Sequence, residues 1–340
     1  MEKVIFGKTD LTVSRTGFGC IPIQRVSYDE STALLRRAYE NGITLFDTAN
    51  AYTTSEERIG IALQDVRDKI VLCTKTSPLQ PDDVMANIDS SLRMMQTDYI
   101  DVLQIHNPSF VPRPGGGDGV YDCFLKAKEQ GKIRHIGITS HSRDIAREAV
   151  LSGLYETLQY PLSYLSADEE LELIKLCGER NIGLLAMKAL CGGLLTNAKA
   201  AFAFLRQYEN VIPIWGIQKM PELDEFLAYE KEPPILDKAM LDTIQNDKET
   251  LAGNFCRCCG YCLPCPANIP IPNAARITLL LRRMPADKWS TPEWQDNMKR
   301  IDNCTGCGHC KAHCPYGLDT PELLKRQQAE FFEMLNRPVR

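Results

Sequence analysis

The sequence predicts an α/β fold, namely a (β/α)8 TIM barrel followed by a small domain that is stabilised by metal bound to cysteines. Eight short β-branched runs alternate with eight amphipathic stretches, which is typical of parallel β/α units that close into a barrel. No Gly-x-Gly-x-x-Gly turn follows the first strand-like run, which disfavours a doubly wound open sheet. The 14 cysteines are unevenly distributed, because nine of them lie between Cys256 and Cys314.

The strand and helix patterns can be assigned in chain order. The strand-like runs are residues 15–19, 43–47, 70–75, 99–106, 133–139, 155–160, 182–188 and 211–217. The helical patterns between them are residues 29–40, 56–64, 82–94, 121–130, 143–151, 168–179, 198–208 and 222–228. Asp82 and Asp168 are predicted to cap the starts of their helices, and Gly42 and Gly131 are predicted to end the helices that precede them. Residues 3–6 predict part of an N-terminal hairpin that closes the bottom of the barrel.

Two cysteine runs supply eight thiolates, the number that two [4Fe-4S] clusters require. The second run, CTGCGHCKAHCP, has the C-x2-C-x2-C-x3-C-P spacing of bacterial ferredoxins, and the first, CRCCGYCLPCP, closely follows it. In that pattern the cysteine before the proline binds the other cluster. The sequence therefore predicts a crossed arrangement, in which one cluster takes Cys256, Cys259, Cys262 and Cys314 and the other takes Cys304, Cys307, Cys310 and Cys265.

Two other uses of these cysteines are weaker hypotheses. A tetrahedral zinc site needs only two Cys-x2-Cys pairs, whereas this chain has two runs of four. A disulfide framework needs an oxidising compartment, and the first segment, MEKVIFGKTD, lacks the apolar run of a signal peptide. Reduced thiols and labile clusters therefore predict a cytoplasmic protein.

Composition and length predict the domains and limit the partners. We expect a barrel over residues 1–232, a connecting helix over 233–252, a bacterial-ferredoxin-like domain over 253–320 and a C-terminal helix over 321–340. The net charge of −5 gives no reason to expect nucleic acid or an anionic membrane as a partner. No run of about 18 apolar residues is present to span a bilayer. The sequence does not indicate an oligomeric state.

Four titratable residues stand at or just after three consecutive strand ends. Asp47 ends the second strand-like run and Tyr52 follows it, while Lys75 ends the third run and His106 the fourth. In a β/α barrel the carboxyl ends of the strands meet at one mouth, where catalytic groups are found. We expect Asp47 to hold Lys75, and we expect the Lys75 ammonium to lower the pKa of Tyr52 and make it a better proton donor. His106 would orient or polarise a substrate oxygen.

The motifs FDTANAY…SEERIG, CTK, DYIDVLQIH, GKIRHIGITSH, LQYPLSY and MKALCGGLL resemble the aldo-keto reductase family over residues 3–230. The whole chain resembles the branch of that family with an appended iron–sulfur domain. The resemblance implies a catalytic tetrad of Asp47, Tyr52, Lys75 and His106, with Tyr52 as general acid in carbonyl reduction. It also implies that Ser140 and Gln159 contact a nicotinamide carboxamide.

The cofactor segments depart from the family pattern. His141 stands where the family has Asn, Phe226 replaces another usual Asn, and Glu222 stands where an Arg is common. In the segment with Gln218 and Glu225, Lys219 alone offers a cation for the 2′-phosphate that distinguishes NADP from NAD. The residues expected to cradle a phosphate from a nicotinamide cofactor or FMN are Gly192, Gly193, Leu194 and Gly216.

The two predicted parts use different numbers of electrons. The barrel passes a hydride, which carries two electrons, whereas a cluster passes one electron at a time, and a flavin can bridge the two. We favour an oxidoreductase that reduces a small-molecule carbonyl with NAD(P)H, with clusters that exchange electrons with an external donor or acceptor protein. One alternative is cluster-driven electron transfer to a flavin or substrate in the barrel. Another is a non-catalytic nicotinamide sensor or electron-carrier subunit.

Overall fold

The computed structural model describes residues 1–77, 80–191, 193, 195–251, 255–256, 262–283, 286–314 and 317–336. The chain forms two compact units, Met1–Met240 and Leu241–Arg340. Within the described ranges, no helix is both long and apolar enough to cross a membrane.

The first unit is built on a closed parallel barrel, as predicted. The strands in the described part of the chain are β1 (Lys3–Ile5), β2 (Thr12–Ser14), β3 (Gly17–Gly19), β4 (Leu45–Asp47), β5 (Val71–Thr76), β6 (Ile100–His106), β7 (Ile133–Thr139), β8 (Thr157–Pro161), β9 (Gly183–Met187) and β10 (Val211–Gly216). Strands β3 to β10 pair in sequence order, and β10 closes the barrel against β3. The eight predicted strands are therefore confirmed, with bounds that differ by at most two residues.

Helices follow the barrel strands and cover their outer faces, as the amphipathic patterns predict. They are α1 (Tyr28–Glu40), α2 (Ser55–Leu63), α3 (Pro81–Met94), α4 (Val120–Glu129), α5 (Arg143–Ser152), α6 (Asp168–Glu179), α7 (Ala198–Arg206) and α8 (Met220–Lys231). Helix α1 begins with a capping box between Ser27 and Glu30, and α5 ends at Gly153 in the left-handed region. Short 3-10 turns cover Pro22–Arg25 and Gln64–Lys69.

A hairpin closes the bottom of the barrel, as the N-terminal pattern predicts. Strands β1 and β2 pair antiparallel, and the fully buried Phe6 packs in a cluster with barrel residues such as Leu45 and Leu185. A Cβ added at Gly183 would lie 2.4 Å from the Phe6 ring. Glycine at this strand position therefore makes room for the floor of the barrel.

The second unit is helical in the described residues. Its first helix, α9 (Lys238–Leu251), begins three residues before the boundary between the units. The other helices are α10 (Ile271–Ala274), α11 (Ile277–Arg283), α12 (Ala286–Trp289), α13 (Pro292–Lys299), α14 (His309–Ala312) and α15 (Thr320–Asn336), with a 3-10 turn at Arg300–Asn303. A core that includes Ile277, Met298 and Phe331 packs against several of the cysteines. The sequence patterns missed α12 and α13, although Thr291 caps α13 and Pro292 begins it.

Candidate active site and cluster site

Three neighbouring strands carry the predicted catalytic groups to the mouth of the barrel. Asp47 is the last residue of β4, Lys75 lies next to the end of β5, and His106 is the last residue of β6. Tyr52 lies in the loop between β4 and α2. The carboxyl ends of parallel strands meet at one end of a barrel, so all four side chains share one mouth.

Asp47 and Lys75 form a buried ion pair at this mouth. The Lys75 Nζ lies 2.7 Å from the Asp47 Oδ2, and the two residues are 1% and 3% exposed. Lys75 also donates a hydrogen bond to the backbone carbonyl of Thr48. Burial alone would lower the pKa of Lys75, but attraction to Asp47 outweighs it and the pKa is raised. The ammonium therefore stays charged at neutral pH.

Two buried amides complete the environment of the Asp47 carboxylate. The Nε2 of Gln104 donates to Oδ1 at 3.1 Å, and the Nε2 of Gln159 donates to Oδ2 at 3.2 Å. With Lys75, these amides give the buried side chain three hydrogen-bond donors in place of water. These bonds fix the carboxylate, and through it the position of Lys75.

Tyr52 lies between Lys75 and His106. The Lys75 Nζ is 5.3 Å from the centroid of the Tyr52 ring, and the Tyr52 and His106 rings meet edge to face at 6.0 Å. Burial raises the pKa of Tyr52 above its ordinary value, although the charge of Lys75 acts in the opposite direction. The predicted lowering of this pKa is therefore wrong in its net direction, because desolvation of the phenolate outweighs the ammonium.

His106 is a neutral imidazole in this environment. Burial, together with the charges of Lys75 and Lys188, lowers its pKa to about 3. An imidazole of this kind can donate or accept a hydrogen bond without a charge of its own. The mouth thus combines one buried cation, one neutral imidazole and one protonated phenol.

The residues predicted to contact a nicotinamide carboxamide are only partly available. The Ser140 hydroxyl donates to the Ser142 carbonyl at 2.9 Å and accepts from the Ser142 N–H at 3.0 Å. Its hydrogen bonds are therefore made within the loop that follows β7. The His141 ring lies 3.4 Å from the Lys188 Nζ. The Gln159 Oε1, in contrast, is buried and has no hydrogen-bond partner within the described residues. Gln159 therefore offers a free acceptor near the tetrad.

Several residues after β10 that were considered for cofactor binding instead make hydrogen bonds or packing contacts within the protein. The Glu222 carboxylate accepts from the backbone N–H groups of Gln218 and Lys219 at 2.8 and 3.1 Å, so it occupies the beginning of α8. Glu225 accepts a hydrogen bond from Tyr229. Phe226 stacks on Trp215 at 4.3 Å in the core.

The remaining cofactor predictions fall at three places. Gly216 ends β10 and is exposed, Lys219 is also exposed, and Gly193 has a backbone φ of 89°. Gly192 and Leu194 lie outside the described residues. Lys219 and Glu225 are both exposed, and Lys219 is the cation of the pair.

Sequence reasoning missed two residues of the mouth. Gln104 precedes His106 by two positions in β6, so strand alternation could have placed both on the same face. Lys188 follows β9 with a left-handed backbone, at a φ of 59°, and its charge reaches His106. Its place after a strand end was a usable signal, because such positions line the mouth of a barrel.

Five cysteines of the second unit line one cavity, together with His309. Cys265, Cys304, Cys307 and Cys310 are the set predicted to share a cluster across the two runs, and the fifth is Cys262, which is predicted to bind the other cluster. Gly306 and Gly308 have positive φ values of 65° and 73°, which let the loop turn tightly between the cysteines. The thiols and the unpartnered buried Nε2 of His309 suit a cluster with several sulfur atoms.

The other predicted ligand set is described only in part. Cys256 and Cys314 pack against the core of the second unit, whereas Cys259 lies outside the described residues. Among the described side chains, no three His, Cys, Asp or Glu residues gather closely enough to hold a single metal ion. Cysteines spread around a cavity suit a multi-iron cluster better than a tetrahedral zinc ion.

Comparison with known proteins adds independent evidence for both units. Residues 6–203 match the Aldo/keto reductase family, and residues 255–319 match the 4Fe-4S dicluster domain. Aldo-keto reductase YhdN of Bacillus subtilis is 30% identical over 216 residues, which cover 58% of this chain and 64% of that protein. L-galactose dehydrogenase of Arabidopsis thaliana is 31% identical over 215 residues, which cover 58% of this chain and 67% of that protein. The chain thus spans about two thirds of the length of these relatives.

Solved structures agree on the fold. The aldo-keto reductase AKR11C1 from Bacillus halodurans, in its holo form, has a TM-score of 0.62 at 22% identity, covering 72% of this chain and 96% of that one. An aldo-keto reductase from Klebsiella pneumoniae in complex with NADPH has a TM-score of 0.62 at 21% identity, covering 72% and 94%. With more than half of its length matched and its barrel closed in the expected strand order, the chain is an oxidoreductase of the aldo/keto reductase family that also carries a 4Fe-4S dicluster domain.

Proposed function

We propose that the barrel reduces the carbonyl group of a small molecule with NAD(P)H, and that Tyr52 donates the proton. The observation that carries this proposal is the assembly of Asp47, Lys75, Tyr52 and His106 at one mouth. A bound nicotinamide cofactor would supply a hydride to the carbonyl carbon. The residues of the chain then have to orient the carbonyl and protonate its oxygen.

Each member of the tetrad has a separate task in this reaction. The phenol of Tyr52 donates its proton to the carbonyl oxygen as negative charge develops there, and the oxygen becomes the hydroxyl group of the alcohol product. The Lys75 ammonium, fixed by Asp47 at 2.7 Å, stabilises the phenolate that Tyr52 becomes. The neutral His106 directs a hydrogen bond to the same oxygen, which orients the substrate without adding charge.

The side chains of Gln159 and Lys219 offer groups that could bind a nicotinamide cofactor. The unpartnered Oε1 of Gln159 can accept a hydrogen bond from a carboxamide, while its Nε2 remains bound to Asp47. The exposed Lys219 offers a cation to a 2′-phosphate, so we propose NADP in preference to NAD. A flavin such as FMN is the alternative if electrons enter the barrel from the clusters.

We assign two [4Fe-4S] clusters to the second unit, with the crossed ligand sets that the cysteine runs predict. The cavity bounded by Cys265, Cys304, Cys307 and Cys310 supports one of these sets. Cys304 and Cys307 are exposed, so a cluster held there would have an edge open to solvent. This exposure favours one-electron exchange with an external donor or acceptor protein.

The carbonyl reductase proposal is tested by replacing Tyr52 with Phe. We expect kcat for an aldehyde such as 4-nitrobenzaldehyde, with NADPH, to fall by about 100- to 10,000-fold, because general acid catalysis is lost. Tyr28→Phe removes the hydroxyl of an exposed tyrosine at the start of α1 and should leave kcat unchanged. Undiminished turnover in Tyr52→Phe would contradict the tetrad mechanism.

The cofactor assignment needs a separate measurement. An anaerobic visible spectrum with iron, sulfide and flavin quantification should give about eight iron atoms per chain and no flavin. Stoichiometric flavin, together with carbonyl reduction driven by a reduced one-electron donor in the absence of NADPH, would favour the cluster-to-flavin alternative. One zinc and no iron would exclude the clusters.

A further inference from the structure

His309 holds an unusual position in the second unit. It lies in α14 between Cys307 and Cys310 and lines the cavity that Cys265 and Cys304 also border. Its ring stacks on that of His313, with the centroids 4.1 Å apart and an interplanar angle of 28°. The imidazole is therefore held by packing in the wall of the proposed cluster site.

The Nε2 atom of His309 lacks a hydrogen-bond partner. It is buried, and no acceptor or donor in the described part of the chain pairs with it. A buried polar atom without a partner is unfavourable, so most such atoms mark a missing ligand, ion or water. Apart from His309 and Thr305, the cavity wall is formed by cysteines, prolines, glycines and aliphatic residues, so sulfur is the main acceptor that its side chains offer.

We propose that His309 carries its hydrogen on Nε2 and donates it to a sulfur atom of the cluster bound by Cys265, Cys304, Cys307 and Cys310. This inference depends on the ligand assignment proposed above. Hydrogen bonds to cluster sulfurs stabilise the more negative, reduced state and raise the reduction potential. His309 is thus a positioning residue that tunes one of the two clusters and leaves the other unaffected.

His313 provides a natural internal control. Its ring has nearly the same orientation, but it is exposed and its Nδ1 already lies 2.9 Å from the backbone carbonyl of His309. It does not line the cavity that His309 lines. The two histidines therefore separate the effect of the proposed hydrogen bond from that of an aromatic ring near the cluster.

The test compares His309→Phe with His313→Phe in the full-length, cluster-loaded protein. Both variants keep a ring for stacking, but only His309→Phe removes the proposed donor, the Nε2–H of His309. In redox titrations monitored by electron paramagnetic resonance, we expect His309→Phe to shift one midpoint potential to a more negative value. If the hydrogen bond favours the reduced cluster tenfold, the shift is about 59 mV for a one-electron couple. His313→Phe should shift neither potential.

Unchanged potentials in His309→Phe, with wild-type iron and sulfide content, would overturn the proposal. If that variant loses a cluster instead, pulsed paramagnetic resonance of wild-type protein containing 15N-histidine decides the question. Coupling of one reduced cluster to a histidine nitrogen supports the hydrogen bond, and its absence refutes it.

The underlying ligand assignment has its own test. Cys310→Ala should lower the iron content by about four atoms per chain if Cys310 binds a [4Fe-4S] cluster. Full iron content in that variant would contradict the ligand set, and a failure of the ligand set is therefore distinguishable from a failure of the His309 hydrogen bond.

Discussion

Replacing Lys75 by Met should destabilise the barrel strongly, beyond its effect on catalysis. The substitution leaves the Asp47 carboxylate, which is only 3% exposed, with the amides of Gln104 and Gln159 as its donors. Removing one partner of a buried ion pair typically costs about 3–5 kcal/mol, because the remaining charge is uncompensated. The two amide donors place the expected loss near the lower end of that range.

The double variant Asp47→Asn/Lys75→Met separates charge burial from packing. With both charges removed, no ion is left without a partner, so we expect the double variant to be more stable than Lys75→Met alone. Lys219→Met, at an exposed position, serves as the matched control and should change stability by less than about 0.5 kcal/mol.

Urea unfolding followed by tryptophan fluorescence measures these differences in the barrel. The chain has 3 tryptophans, and Trp215 is the one in the first unit, so a background with Trp289→Phe and Trp294→Phe isolates the barrel signal. A loss of 3 kcal/mol lowers the urea midpoint by about 1 M if m is about 3 kcal/mol/M, a value at the upper end for small proteins. A Lys75→Met midpoint equal to the wild type, or a double variant less stable than Lys75→Met, would refute the buried-pair reasoning.

Three further predictions concern the base of the barrel. Burial alone would raise the pKa of Glu156, but hydrogen bonds from His135 and the Ile136 N–H outweigh it and lower the pKa to about 2. The carboxylate therefore stabilises the fold at pH values above its ordinary pKa of 4.5, and this contribution is lost as the pH falls towards 2. In acid unfolding, the stability of Glu156→Gln should depend less on pH over that range than the stability of the wild type. Phe6→Ala should cost about 3–5 kcal/mol in thermal unfolding. Gly183→Ala should be destabilising in the wild type but much less so beside Phe6→Ala, because its Cβ would meet the Phe6 ring.

The fold could be predicted from the sequence because each strand and helix of the barrel has its own hydrophobic pattern, bounded by residues typical of helix ends and turns. The β-branched run at Ile133–Thr139 was recovered with its observed bounds. Helices α12 and α13 were missed because they are only 4 and 8 residues long, with too few turns for an apolar period to emerge. In the second unit the cysteine spacing was the informative signal.

The convergence of the candidate site residues at one mouth was predictable, but their electrostatics were not. Strand-end positions were enough to bring Asp47, Lys75 and His106 together, because barrel topology fixes which strand ends are neighbours. The pKa of Tyr52 depends on a balance between burial and the distance to Lys75, and neither quantity is encoded in spacing. The same holds for Glu222, whose role as a helix cap depends on the path of the backbone before α8.

The state of Tyr52 also bears on which electrons the barrel handles. A phenol with a raised pKa keeps its proton through neutral pH and gives it up only to a strongly basic oxygen. An oxygen becomes most basic when its carbon receives a hydride, because both electrons then reside in the substrate as an alkoxide. A one-electron ketyl is a weaker base and a poorer match for this acid. The four residues therefore suit two-electron chemistry, and we propose that one-electron transfer takes place at the candidate cluster site, where Cys304 and Cys307 are exposed.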